Sequence, residues 1–302
     1  MRLHMRRWRA VASLTCVLAL ALGDCCRAAD PKDILWYGNS FTNATCCGSS
    51  VSVPVTLGAL AVAAGHPAPR NRNAAVNGQS LQFHLTSNTG VITTGIVAGE
   101  QWEHVVLQDF STIPTHIGNM AQHLSSSLGL YQAVAAHSPG VQAIMYETWS
   151  RGYGNGFYTG GSPAFPGGPA QMQQELRDGY QASTANIQSV GGPQAVRLAA
   201  AGDAWELANW PANFYGDGDY HASNRGTLLN ALVLYTAIYD DPTTSDINLS
   251  TILTPLGLTA ADGVFLTGLA DTIAARQIPE PTTLALAVLG ALGAALRARR
   301  RA

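Results

Sequence analysis

Short apolar runs, each stopped by Gly, Asn, Asp, Glu or Ser, alternate along this chain with longer stretches whose apolar positions recur at helical spacing. Asp33 to Tyr37, Asn73 to Val76, Val105 to Gln108, Val141 to Tyr146 and Val196 to Ala200 read as strands. A strand covered on both faces shows such a continuous run rather than strict alternation. Helices are predicted from Pro54 to Gly65 with proline in the first turn, from Leu81 onward, and over Met120–Ala136, where Leu124, Leu128, Tyr131 and Val134 lie near helical spacing. Further helices are expected over Gln171–Val190, Leu228–Tyr239 and Ala260–Ala275. Strand alternates with helix throughout, with no internal repeat and no interdomain linker. The prediction is an α/β fold: a single doubly wound (flavodoxin-like) parallel sheet with helices on both faces. In such a sheet the strands open onto one edge, which brings Ser40, Gly78, Gln108, Glu147 and the loop around His221 toward one crevice.

Both ends depart from this pattern. Arg6, Arg7 and Arg9 precede the apolar run Ala10–Leu22, and small residues follow at Ala28 and Ala29, the order of a secretory signal over residues 1–29. At the other end Pro279-Glu280-Pro281 leads into an apolar segment, Thr283–Leu296, and then Arg297, Arg299, Arg300 and Arg301. That segment is shorter than the ~20 residues of a relaxed membrane span. Its basic end nonetheless suits a membrane-engaging tail with the arginines in the cytoplasm. Residues 30–277 remain as the body. A formal net charge of -2, with 12% charged residues, gives no basic surface for a nucleic-acid partner.

Of five cysteines, only Cys46 and Cys47 lie in the body. An adjacent pair cannot staple a distant loop; it forms a vicinal disulfide in an oxidising compartment or stays as two thiols. No His or Cys stands at metal-ligand spacing from it, so no metal site is expected.

The candidate chemistry begins at Gly38-Asn39-Ser40-Phe41, where the first strand stops at a turn and a hydroxyl follows the glycine. Gly-Asn-Ser is also ordinary turn composition. A serine nucleophile needs a base, and histidine is the usual one. His66, His104, His123 and His137 fall in a connecting loop, at a strand start, or on and after a helix, and read as structural; His84 and His116 lie nearer the crevice without a supporting pattern. His221 stands apart, with Asp217 and Asp219 before it and a helix after it. A carboxylate a few residues ahead can hold an imidazole in one tautomer. Glu147, Trp149 and Arg151 follow the fourth strand and are candidates for lining the crevice, Trp149 equally for packing on the sheet. Tyr153, Phe157 and Tyr158 sit in a Gly/Pro-rich loop, Gly152–Gly168, and suit either stacking on a sugar ring or a lid.

Gly38-Asn39-Ser40-Phe41, Gly78, and the Asp-rich loop with His221-Ala222-Ser223 and Gly226 together resemble an SGNH (GDSL-type) hydrolase over nearly the whole body. The resemblance implies a serine esterase without cofactor. Ser40 is then the nucleophile, His221 the base, and the N–H groups of Ser40 and Gly78 the oxyanion donors. Three departures matter. Asn39 replaces the usual Asp. Leu107-Gln108-Asp109-Phe110 lacks the Asn of the third block, leaving Gln108 as the candidate amide or, equally, as a core-facing or backbone-capping residue. The orienting Asp, three residues before the His in that family, is here Gly218, so Asp217 or Asp219 must serve, with Asp217 favoured by the room its glycine neighbour gives. The tail resembles a PEP-CTERM sorting signal over residues 278–302, which implies recognition by export and sorting machinery in a Gram-negative bacterium and a place in the periplasm, cell envelope or extracellular matrix. The expected partner is an ester substrate, an acylated polysaccharide being suggested by the export context. The alternatives are a non-catalytic glycan-binding surface protein on the same fold and an O-acyltransferase.

Overall fold

A computed structural model describes residues 30–277. The expected leader and the tail lie outside the described residues, and the compact unit begins at Lys32. Its strands are β1 (Asp33–Tyr37), β2 (Arg70–Asn73), β3 (His104–Leu107), β4 (Gln142–Tyr146) and β5 (Val196–Ala199). Its helices are α1 (Ser40–Asn43), α2 (Val53–Ala63), α3 (Leu81–Ser87), α4 (Val91–Thr94) and α5 (Met120–His137) in the first half. α6 (Gly168–Gly191), α7 (Ala201–Leu207), α8 (Asn224–Tyr239), α9 (Ser250–Leu253) and α10 (Ala260–Gln277) complete the set.

The five strands form one sheet in the order β2-β1-β3-β4-β5, all parallel. Alternate strand residues feed two separate cores, as the pleat dictates. Ile34, Trp36, Val106, Ile144 and Tyr146 meet α2, α7, α8 and α10 on one face. Leu35, Tyr37, Val105, Leu107 and Met145 meet the α3–α6 layer on the other. A sheet buried on both sides needs apolar residues at successive positions, which is why these strands are legible as short runs.

β2 is the exception. The expected second strand, Asn73–Val76, lies mostly beyond the observed one, which reads Arg-Asn-Arg-Asn and is largely exposed. An edge strand pairs on one side only and is protected by polar and charged side chains rather than by burial. Here Asn71 accepts from Trp36 Nε1 (2.9 Å) and Arg70 Nε donates to Asp33 (2.7 Å), so the polar side chains lock the edge to β1. α8 also departs from an amphipathic reading: residues 226–238 are all buried, because α2, α10 and the sheet enclose it. Among the described residues no helix is long and apolar enough to cross a membrane.

Candidate active site

The turn after β1 is built to project one hydroxyl. Gly38 lies so close to its surroundings that an added Cβ would stand 2.2 Å from Thr42 Oγ1 and 2.7 Å from Gln108 Oε1. Its carbonyl accepts from Val76 N (3.0 Å) and from His84 Nε2 (2.8 Å). His84 is fully buried, and burial holds its pKa below the ordinary value; the ring is neutral, donating from Nε2 to Gly38 and accepting at Nδ1 from Asn88 (3.0 Å). Asn39 caps α1, its side-chain oxygen accepting from Phe41 N (3.0 Å). Its amide donates to the carbonyl of Gln79 (3.0 Å), a bond that an aspartate in this position has no proton to make. The departure at Asn39 therefore fastens the turn around Gly78 to the turn around Ser40.

Ser40 Oγ faces His221 Nε2 at 3.0 Å across 181 residues of chain. His221 Nδ1 lies 2.5 Å from Asp217 Oδ2, while Asp217 Oδ1 accepts from the backbone N–H of His221 (2.8 Å) and Tyr220 (3.1 Å). Gly218, at φ +103, supplies the left-handed step that folds the carboxylate back. Burial opposes ionisation of Asp217, but the hydrogen bonds from the His221 side chain and backbone outweigh it and hold the carboxyl below the usual aspartate range. Asp219 is not part of this row. Its carboxylate accepts from Asn155 Nδ2 (3.0 Å) and its carbonyl from Gly152 N (2.8 Å), tying the Gly-rich loop to the histidine loop.

Gly78 sits on the exposed rim at φ +76, with open space where a Cβ would stand, so the glycine is required for its backbone conformation and not for room. The N–H groups of Ser40 and Gly78 make no hydrogen bond among the described residues. Gln108 lies elsewhere than at an oxyanion site. It is fully buried beneath the turn, its oxygen accepting from Asn39 N and Thr42 Oγ1 (both 2.9 Å) and its amide donating to the Asp109 carbonyl. An amide spent on the scaffold in this way stiffens the turn; it does not face the crevice.

All three candidates after β4 are buried, and Trp149 takes the packing role that its position also allowed. Trp149 is fully buried in a stack, 4.2 Å from Phe41 and 4.5 Å from Trp205, and its Nε1 donates to the Tyr220 carbonyl (3.0 Å). It thus touches the residue after Ser40 and the residue before His221, and holds the two loops in register. Glu147 is fully buried and accepts from Gln173 Nε2 (2.8 Å); burial, then the charge of Asp203 beside it, pushes its pKa well above the usual range. A carboxyl in the protein interior does not line a crevice. Arg151 is 5% exposed. Its guanidinium lies 3.5 Å from the Tyr220 ring centre and donates to Ser111 Oγ (2.8 Å), filling the space behind the histidine loop. In the loop after it, Phe157 and Tyr158 pack on buried Phe165, and Tyr153 is exposed with its hydroxyl on Asn209.

Cys46 and Cys47 are joined as a vicinal disulfide. Spacing along the chain gave no sign of what the fold places beside it: both sulfurs and a ring nitrogen of His221 lie within 4.8 Å of one another. A groove of about 530 Å³ is lined by Gln188, Arg197 and Asp240 among others, and shares no residue with this cluster.

An imidazole that meets a hydroxyl at one nitrogen and a carboxylate at the other can deprotonate that hydroxyl as it attacks. Comparison with known proteins agrees with this scaffold. Residues 277–301 match the PEP-CTERM protein-sorting motif. No curated protein matches the chain. Solved structures share the fold. A protein from Slackia heliotrinireducens assigned to the SGNH hydrolases is 23% identical, with a TM-score of 0.52 over 69% of this chain and 100% of its own. A DUF4886 family protein from Bacteroides uniformis is 16% identical, with a TM-score of 0.60 over 80% of this chain and 94% of its own. A lipase/acylhydrolase from Enterococcus faecalis is 11% identical, with a TM-score of 0.50 over 69% and 96%. The chain therefore carries a PEP-CTERM sorting motif, which marks export to the Gram-negative cell envelope, behind a body with the fold of the SGNH hydrolases.

Proposed function

We propose that this protein is an exported serine ester hydrolase acting through Ser40, His221 and Asp217, with the Ser40 and Gly78 N–H groups as the oxyanion site. The observation that carries the reading is the 3.0 Å approach of Ser40 Oγ to His221 Nε2, with Asp217 behind the ring. Ser40 Oγ attacks the ester carbonyl carbon and its proton passes to His221 Nε2. The tetrahedral oxyanion rests on the two N–H groups, each worth several kcal/mol where such donors have been removed. Collapse expels the alcohol, which takes the proton back from His221. Water then enters, gives a proton to the same nitrogen, and releases the acid while Ser40 recovers its hydrogen. Asp217 stays ionised throughout, and its depressed pKa suits that duty.

The sorting motif supports the coarser part of the reading, a substrate met outside the cytoplasm. An O-acyl group on an envelope or matrix polysaccharide is the substrate class we favour. The test is labelling of the full chain by a fluorophosphonate probe, together with hydrolysis of a p-nitrophenyl ester. Ser40→Ala is expected to abolish labelling and lower kcat by about 10⁶-fold with unchanged Tm. Labelling that survives Ser40→Ala, or a native chain that neither labels nor hydrolyses, overturns the proposal. Acyl transfer to a sugar acceptor faster than hydrolysis replaces it with a transferase.

A further inference from the structure

The disulfide beside His221 has no part in the chemistry above, and its position is fixed by more than chance proximity. An added Cβ on Gly48 would stand 2.5 Å from Gly216 Cα, and one on Gly216 would stand 2.3 Å from Gly48 Cα, so the backbones of the cysteine loop and the histidine loop touch. Just beyond, Ser50 N (2.7 Å) and Ser49 Oγ (3.0 Å) both donate to Asn224 Oδ1 at the start of α8. The segment that follows the cysteines is therefore moored on both sides of His221. Cys46 is exposed and Cys47 half-buried, within reach of a small reductant.

We propose that reduction of Cys46–Cys47 creates a binding site for a thiophilic divalent cation, Zn²⁺, made of both cysteine sulfurs and His221 Nε2, and that metal bound there takes the imidazole away from Ser40. The disulfide is poor at ligation, whereas two thiolates and an imidazole are a zinc donor set. Bond lengths of about 2.3 Å to sulfur and 2.0 Å to nitrogen put the donor atoms of a tetrahedral ion roughly 3.5–4 Å apart. The 4.8 Å span of the three groups needs only a small adjustment to reach this once the sulfurs separate. Asp217 on Nδ1 leaves Nε2 as the ligating nitrogen, and a carboxylate behind a ligating histidine is the usual support for zinc. The fourth position falls to water.

The redox step balances with a dithiol as reductant. One of its thiolates attacks a cysteine sulfur to give a mixed disulfide, and its second thiol displaces the other bond. Cys46 and Cys47 gain two electrons and two protons, and the reductant leaves as its own disulfide. Zn²⁺ then displaces both thiol protons. In an oxidising compartment the disulfide keeps the site closed; reduction in the presence of zinc shuts the dyad down.

The site does not depend on the ester-hydrolase reading; the inhibition does. The test is therefore a zinc titration of the full chain against a chromophoric chelator, oxidised and after phosphine reduction and desalting, with Co²⁺ as the spectroscopic substitute. One equivalent of Zn²⁺ should bind the reduced chain at least 100-fold more tightly than the oxidised one. The Co²⁺ complex should show a thiolate-to-cobalt charge-transfer band. His221→Ala should weaken binding at least tenfold and Ser40→Ala should leave it unchanged. The single variant Cys46→Ser, at an exposed position, should lose most of the affinity. Equal affinity in the oxidised and reduced chains, or no loss in His221→Ala, overturns the proposal. With an ester substrate, zinc should inhibit the reduced enzyme only, and EDTA should restore it; absence of turnover in every form would refute the hydrolase reading while the titration still decides the site.

Discussion

Two aspartate–histidine pairs stand near the carboxyl edge of this sheet, and they are built alike. In each, one carboxylate oxygen meets a histidine Nδ1: Asp217 with His221 at 2.5 Å, Asp109 with His123 at 2.9 Å. In each, the other oxygen accepts two backbone N–H groups, those of His221 and Tyr220 for Asp217 and those of Leu81 and Phe110 for Asp109. What differs is the far side of the imidazole. His221 Nε2 meets Ser40 Oγ, and its side chain is 13% exposed. His123 is fully buried against the Tyr180 ring, and its Nε2 has no partner among the described residues. A carboxylate behind a histidine is therefore no mark of a base. The mark is a nucleophile at the other nitrogen and a path for substrate.

The comparison makes its strongest claim at Asp217. Asp217→Asn should lower kcat by about 10³–10⁴-fold at unchanged Tm, because an amide favours the wrong tautomer without emptying the site. Asp109→Ala should act in the opposite sense. It removes the partner of a buried histidine and the acceptor for two backbone donors, and should cost roughly 3–5 kcal/mol in denaturant unfolding. If instead Asp109→Ala spared stability and abolished turnover, the two pairs would have to exchange roles.

A third histidine sharpens the contrast, since His104 is buried with neither ring nitrogen bonded among the described residues. Burial, then the charges of Lys32 and Arg197, depress its pKa to about 3. The unfolded chain takes up a proton near pH 6.5 that the folded chain refuses, so the unfolded state binds more protons between these values. Stability is therefore intact above about pH 6.5 and lost as the pH falls toward 3. His104→Leu should recover roughly 2 kcal/mol at pH 5 and nothing at pH 8, read from urea midpoints across pH. The smallest effect is expected at Asp219. Asp219→Asn keeps an acceptor for Asn155 and should change kcat by no more than about threefold; a loss as large as that of Asp217→Asn would mean that the Gly-rich loop takes part in catalysis.

Much of the fold was readable because both faces of the sheet are covered. Four of the five strands announce themselves as apolar runs, and their helices by spacing. β2 was displaced by a few residues because an edge strand owes its place to Asn71 and Arg70 pairing with β1, not to burial. At the site, turn chemistry singled out Ser40 and the preceding acidic residues singled out His221, and the fold brings the two to 3.0 Å with Asp217 behind the ring. Glu147 lies under the crevice, and Trp149 takes the packing one of its two readings, for a common reason. A strand end opens on the crevice in general, but whether a given side chain rises into it or drops under it depends on α6 and α7, which cover Glu147, and on Phe41 and Trp205, which clasp Trp149.

Local pattern thus suffices for the α/β class, the parallel order of elements, the Gly38-Asn39-Ser40 turn and the sorting tail. These are set by residues near one another in the chain, through burial periodicity and the conformational limits of glycine and asparagine. The 3.0 Å approach of Ser40 to His221, the diversion of Gln108 into the scaffold and the seat of Cys46 and Cys47 beside the imidazole were decided only by packing. Each is a contact between segments far apart in sequence, registered by Trp149 and by two glycine backbones in touch, and distances of that kind leave no trace in spacing along the chain.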